Sequence, residues 1–216
     1  MFCIRDEEVA KKIMKIRGFA LDEVYQDEEV ATVYKKIAKD EGLLRHCENV
    51  AVLSTMVGIG YGFNLAELIE IYVGALLHDA GKVKLNKKIL YKVGVLTKDE
   101  RAYTETHTTI GYKLLKNTSL SNVALEIIRS HHEKIDGSGY PCSLEKKEIL
   151  IYTQIVTVCD MYEAMTSDRC YRKALSASKA LEILEADNGI NKVVLSLLQE
   201  GIVESSVDKT QEILFA

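Results

Sequence analysis

The stretch "LAELIEIYVGALLHDAGK", Leu65 to Lys82, decides the fold. Leu65, Leu68, Ile69, Tyr72, Val73, Leu76 and Leu77 recur at the i, i+3, i+4, i+7 spacing of a helix. Asn64 is the expected N-cap and Gly81 the expected stop. The same stretch closes on His78 and Asp79. An acid at the end of so apolar a helix is costly to bury unless a cation meets it.

Working outward, the helical pattern persists almost throughout. Thr97 and Glu100 stand at capping-box spacing, so Thr97 is expected to start a helix that carries His107. Ser121 is the expected cap of "NVALEIIRSHHEK" and Ser176 of "ASKALEILEAD". Further helices are expected over Glu7–Arg17, Glu28–Lys39, Leu44–Val57, Lys147–Met165 and Asn191–Gln199. Strand signals are weak; "GIVESSVDKTQEILFA" reads as a short strand or a tail. No repeat, low-complexity tract or linker divides the chain. The fold class is therefore all-α, with residues 1–40 as a helical preface and residues 41–216 as the main domain.

Composition narrows the function. The 216 residues are 47% hydrophobic and 28% charged, which suits a globular domain. A net charge of −4 with no basic face argues against a nucleic-acid polymer as partner, while a small anion remains compatible. The opening "MFCIRDEEVAKK" lacks the apolar run of a secretion signal. The uncharged run Asn49–Ala66 contains Gly58, Gly60, Gly62 and Asn64, so it reads as a buried helix ending in a loop and not as a membrane span. Five cysteines without a C-x-x-C pair read as free thiols in a reducing cytoplasm, with Cys47 and Cys159 as core residues.

The five histidines, His46, His78, His107, His131 and His132, carry the chemistry. Each alone reads more readily as a hydrogen-bonded core or surface residue than as a ligand. As a set their surroundings differ from chance: His78 is followed by Asp79, and His131 and His132 end a helix before the turn of "SHHEKIDGSGYPCS". Adjacent helical residues point about 100° apart, so one ion could take both only where the helix frays. Imidazole and carboxylate donors without thiolates suit Fe, Mn or Zn better than Ca or Mg. Such donors on several helices converge only in a bundle core. The residues by themselves leave the core-histidine and two-metal readings both open.

At this point the chain resembles the HD-GYP family of metal-dependent phosphodiesterases, a branch of the HD-domain superfamily. The matching elements are His46, "HDAGK" at 78–82, His107, "HHE" at 131–133, "DGSGYP" at 136–141, "DMYEA" at 160–164 and "RCYR" at 169–172. Their order and spacing match over about residues 42 to 185. Cys170 stands where the family commonly has proline, and Glu163 where it commonly has aspartate.

The resemblance implies an HD-domain helical bundle with a dinuclear metal site in its core. Asp79 would bridge two divalent ions, Fe or Mn first and Zn or Ni as alternatives. His46, His78 and Asp160 would complete one position, and His107, His131 and His132 the other. Lys82 would act with Asp79 in catalysis, holding a metal-bridging hydroxide and a phosphate oxygen. Gly139, Tyr140, Arg169 and Arg172 would contact the substrate, cyclic di-GMP or a related cyclic dinucleotide cleaved to pGpG, with a second cleavage to GMP left open. A third ion is not expected, because Gly42 occupies the place, four before His46, where some members carry glutamate. Two alternatives keep the fold: a receptor that binds without cleaving, and a broader HD-domain nucleotide phosphohydrolase. A cytoplasmic location, no membrane partner and room for a homodimer complete the expectations. No sensory domain is legible before residue 41, so control is expected from a partner, from concentration or from the preface.

Overall fold

A computed structural model of the chain describes residues 2–168 and 173–204. Eleven helices are described, running α1 (Glu7–Gln26), α2 (Glu28–Ile37), α3 (Glu41–Tyr61), α4 (Leu65–Leu77), α5 (Lys87–Leu90), α6 (Lys98–Glu105), α7 (His107–Leu115), α8 (Asn122–Ser130), α9 (Ile151–Thr166), α10 (Ala177–Ala186) and α11 (Lys192–Gly201). A 3-10 turn, Ala80–Lys84, follows α4. Two three-residue strands, β1 (Phe2–Ile4) and β2 (Ile202–Glu204), pair antiparallel with Cys3 opposite Val203. The all-α class stands. The open reading of the C-terminal stretch resolves to a strand at Ile202–Glu204.

The centre of the bundle is α4. It is apolar nearly all round, and Leu68, Ile71, Tyr72, Val73, Leu76 and Leu77 are all buried, as a helix enclosed by others requires. It packs against α1, α3 and α8. Gly74 brings α8 close, since a Cβ there would lie 2.6 Å from Ile127 Cδ1 and 3.1 Å from Ala124 Cα. On its other side α3 packs against α9 and α11. The buried stripe of α1, Ile13, Ile16, Ala20 and Val24, belongs to the same apolar core. Among the described residues no helix is long and apolar enough to cross a membrane. The uncharged run is the C-terminal part of α3, its Gly62 cap at φ 93° and the start of α4.

Local chemistry sets most helix starts. Capping boxes form at Asn64–Glu67 and Thr97–Glu100, and Ser121 and Ser176 accept from Ala124 and Lys179 amides. Each such cap stabilises its helix by about 1 kcal/mol. Asn191 caps α11, which starts at Lys192, one residue after the expected start.

Three expectations need correction. The first helix runs past Arg17 to Gln26, because Gly18 is exposed and Ala20 and Val24 continue the buried stripe. The helix after Asn64 ends at Leu77, four residues before Gly81. Gly81 lies inside the 3-10 turn and its place there is set by packing on α7. The helix begun by Thr97 does not carry His107: it breaks at Thr106, and His107 opens α7. Side-chain bonds to carbonyls cluster at the break. Thr104 Oγ1 donates to Arg101 O at 2.8 Å, Thr106 Oγ1 to Tyr103 O at 2.6 Å and His107 Nδ1 to Thr104 O at 2.8 Å. Those carbonyls gain partners outside the helical ladder.

Candidate metal centre

Five elements deliver polar side chains into the middle of this apolar bundle. His46 comes from α3, and His78 and Asp79 from the end of α4. His107 opens α7, His131 caps the end of α8 with His132 beyond it, and Asp160 lies on α9. All seven residues expected from the sequence are brought together. Three sets each place their donor atoms within 4.8 Å: His107, His131 and His132; His46, His78 and Asp79; and His78, His131 and Asp160.

The imidazoles are oriented by their outer nitrogens. Nδ1 of His78 donates to Ala75 O at 2.6 Å, that of His107 to Thr104 O at 2.8 Å, and that of His131 to Ile127 O at 3.2 Å. Nδ1 of His46 bonds Glu163 Oε2. With Nδ1 as donor, Nε2 of each ring points inward, and in a neutral ring it carries a lone pair. These nitrogens converge: Nε2 of His78 lies 3.3 Å from Nε2 of His46, and Nε2 of His107 lies 3.2 Å from Nε2 of His131.

Asp79 sits between these pairs and is fully buried. Its Oδ2 meets Lys82 Nζ at 2.5 Å, His78 Nε2 at 3.4 Å and His46 Nε2 at 3.5 Å. Its Oδ1 faces His107 Nε2 at 3.3 Å and His131 Nε2 at 3.9 Å, yet takes no hydrogen bond among the described residues. A buried carboxylate oxygen without a donor is costly. The inward lone pairs of His107 and His131, which Oδ1 faces, add repulsion. One kind of group satisfies all of these atoms together, a cation with several open coordination positions. Nitrogen and oxygen donors without a thiolate suit a divalent transition metal.

Charge states agree with that chemistry. Burial holds His107 down at about 4 and His132 at about 3, and pushes His131 well below its usual value. These rings are neutral at pH 7 and so able to act as donors. Burial works against Asp79 and Asp160, but Lys82 and His78 hold Asp79, and His46 holds Asp160, well below the carboxylate range. For His46 burial pulls down, while Asp160, Asp79 and Glu163 together push it up to about 10. Three anions around one ring make a position that holds positive charge, whether a proton or a metal ion.

The sequence pattern of the HD domain matches residues 31–192. The chain belongs to the HD-domain family, in its HD-GYP branch. This HD-GYP chain is 38% identical over 147 residues to a cyclic di-GMP phosphodiesterase of Thermotoga maritima, covering 67% of this chain and 40% of that protein. It is 31% identical over 188 residues to the 3′3′-cGAMP-specific phosphodiesterase 3 of Vibrio cholerae, covering 84% of this chain and 41% of that protein. The chain thus spans about two fifths of the length of these curated relatives. Among solved structures, Bd1817, a HDG"Y"P protein from Bdellovibrio bacteriovorus, superposes with a TM-score of 0.62 at 17% identity. That match covers 73% of this chain and 51% of the other, and it shows a shared fold.

The loop of "DGSGYP" closes over one side of the HD-GYP centre. Half-buried Tyr140 stacks on the His132 ring, with centroids 4.7 Å apart and planes at 27°. Gly139 makes this approach feasible: a Cβ there would lie 2.4 Å from Lys134 N and 2.5 Å from both Glu133 Cα and His132 O. Arg169 and Arg172 lie outside the described residues. The sequence reading gave Glu133 no role of its own. Its buried carboxylate takes Cys142 N at 2.6 Å and Leu144 N at 2.9 Å, fastening the loop beyond Pro141 to the end of α8. Thr157 was also missed; its hydroxyl donates to His131 O at 2.8 Å, tying α9 to the turn that carries His131 and His132. The available signal was spacing, since Thr157 lies one turn before Asp160 on α9.

Proposed function

We propose that residues 41–216, preceded by the helical segment 1–40, form a metal-dependent phosphodiesterase that hydrolyses cyclic di-GMP to pGpG. One observation carries the metal half of this reading: the buried Asp79 carboxylate lies between two sets of inward-facing Nε2 atoms. The relatives at 38% and 31% identity, named for cyclic dinucleotide hydrolysis, support the substrate class. His46, His78 and Asp160 would hold one divalent ion and His107, His131 and His132 a second, with Asp79 shared. Fe or Mn suits this donor set best, with Zn and Ni next. When bound, the ions supply Lewis-acid polarisation of the phosphate and a nucleophile at neutral pH.

The protein's own groups do the rest. Lys82, with Nζ 2.5 Å from Asp79 Oδ2, places a cation where charge builds on the phosphate oxygens. Lys82→Ala is expected to keep its metal and fold while kcat falls about 10²- to 10³-fold, the usual loss for one such donor. Steady-state kinetics beside metal analysis checks this; a collapse in metal content would make Lys82 a structural residue.

Tyr140, Arg169 and Arg172 would read the bases and phosphates. A base stacked on an aromatic ring contributes about 1–3 kcal/mol. Tyr140→Ala is therefore expected to weaken cyclic di-GMP use while sparing bis(p-nitrophenyl) phosphate. Equal losses on both substrates would mean that Tyr140 only supports the ring of His132.

The Vibrio cholerae relative, matching 84% of this chain, favours 3′3′-cGAMP as a second candidate substrate. The deciding experiment purifies the protein anaerobically, quantifies bound metal, and follows hydrolysis of cyclic di-GMP and 3′3′-cGAMP with Mn2+ and Fe2+. Binding of either nucleotide without turnover, in metal-loaded protein, would replace the enzyme reading with that of a receptor.

A further inference from the structure

Glu163 lies three residues beyond Asp160 on α9, buried to 2% exposure, and belongs to none of the three candidate ligand sets. Its two oxygens face opposite ways. Oε2 takes His46 Nδ1. Oε1 takes Asn49 Nδ2 at 3.1 Å and Ser167 Oγ at 2.7 Å. Asn49 sits nearly one turn after His46 on α3, so helix periodicity brings it beside the same carboxylate. An acid that merely filled this space could be exchanged for glutamine, which has the same shape. The hydrogen bonds disfavour that exchange. Asn49 Nδ2 at 3.1 Å and Ser167 Oγ at 2.7 Å both donate to the same oxygen, so an amide at 163 keeps both bonds only by turning its oxygen to them and its NH2 to His46. Nδ1 of His46 would then become the acceptor, and the proton would move to Nε2, the nitrogen that faces Asp160 at 3.1 Å and His78 at 3.3 Å. A protonated Nε2 cannot bind a cation.

We propose that Glu163 is a positioning residue: held by Asn49 and Ser167, it fixes His46 in the tautomer whose Nε2 lone pair enters the centre, and thereby sets cation affinity at the His46–His78–Asp160 position. The inference rests on the metal-centre reading above. It extends that reading to a residue outside the ligand set, and partners of this kind typically change metal affinity 10- to 100-fold.

The test is Mn2+ binding by equilibrium dialysis, with circular dichroism to confirm the fold. Wild-type protein is expected to bind two equivalents; no binding at all overturns the metal-centre reading and this inference with it. Given wild-type binding, Glu163→Gln is expected to weaken one equivalent by about 10- to 100-fold and leave the other unchanged. The paired exchange Asn49→Asp/Glu163→Gln restores the original pattern, since the new acid accepts from the amide and frees the amide oxygen for His46 Nδ1. It is expected to recover the lost equivalent at unchanged net charge, a rescue that a packing role would not give. Wild-type affinity at both positions in Glu163→Gln overturns the proposal, as does a paired variant no better than the single one. Should Glu163→Gln fail to fold, the paired variant decides alone: two equivalents support the proposal and one refutes it.

Discussion

Asp79→Ala is expected to lose its divalent metal and, with it, all measurable hydrolysis of cyclic dinucleotides. The reason is geometric. Asp79 alone among the expected ligands faces both pairs of imidazoles, through Oδ2 at 3.4–3.5 Å and Oδ1 at 3.3–3.9 Å. Without it, two cations at close range would lack the anion between them, and Lys82 would add a third positive charge to the same pocket. The change removes the buried carboxylate that partners Lys82 and costs stability, so circular dichroism must first establish that the variant is folded. A ligand that binds only the folded state raises the melting temperature by mass action. Wild-type protein should therefore melt higher with added Mn2+, and Asp79→Ala should not respond. Metal analysis and melting curves check the first half, and product formation from cyclic di-GMP the second. A folded Asp79→Ala protein that turns over at the wild-type rate would end the proposed mechanism.

Features that depend on neighbouring residues were legible in the sequence. The Asn64 and Thr97 capping boxes, the Ser121 and Ser176 caps and the buried stripe of α4 all follow from spacing within one turn or one face. The seven candidate ligands were legible for a different reason. The residues alone marked His78–Asp79 and His131–His132 at helix ends and left the metal reading open, while His46, His107 and Asp160 came from motif order and spacing shared with the HD-GYP family. What escaped was set by approach between elements. The break at Thr106 goes with three side-chain bonds to carbonyls, and nothing in periodicity favours a break over a continuous helix. Glu163 read as a conservative replacement one turn from a ligand, because its contact with His46 spans 117 residues of sequence. The strand at Phe2–Ile4 is too short to show a period of two.

Gly81 is the sharpest case, and the second large effect is expected there. Read locally it was a helix stop, yet α4 has already ended at Leu77. Gly81 is also absent from the glycines with positive φ, so no backbone conformation demands it. Its requirement is steric. A Cβ at Gly81 would fall 1.9 Å from His107 O, 2.7 Å from His107 C and 2.8 Å from Gly111 N. All three are backbone atoms, so no rotamer change relieves the clash. One added methyl must push the 3-10 turn and α7 apart, moving His107 away from Asp79 Oδ1, now 3.3 Å from its Nε2. Gly81→Ala is expected to lose at least about 1–3 kcal/mol, the usual cost of overpacking, and to bind metal poorly at the His107 side. A series of three glycines separates this from a general effect of added methyl groups. Gly111→Ala should be milder, because its Cβ meets Gly81 N at 3.1 Å and a movable Ile128 methyl at the same distance. Gly18→Ala, with nothing within 4 Å on an exposed helical face, should gain up to about 1 kcal/mol. Urea unfolding of the three variants beside their metal content measures the order. Gly81→Ala matching Gly18→Ala in stability and metal content would show that the turn and α7 do not need backbone contact to hold His107 in place.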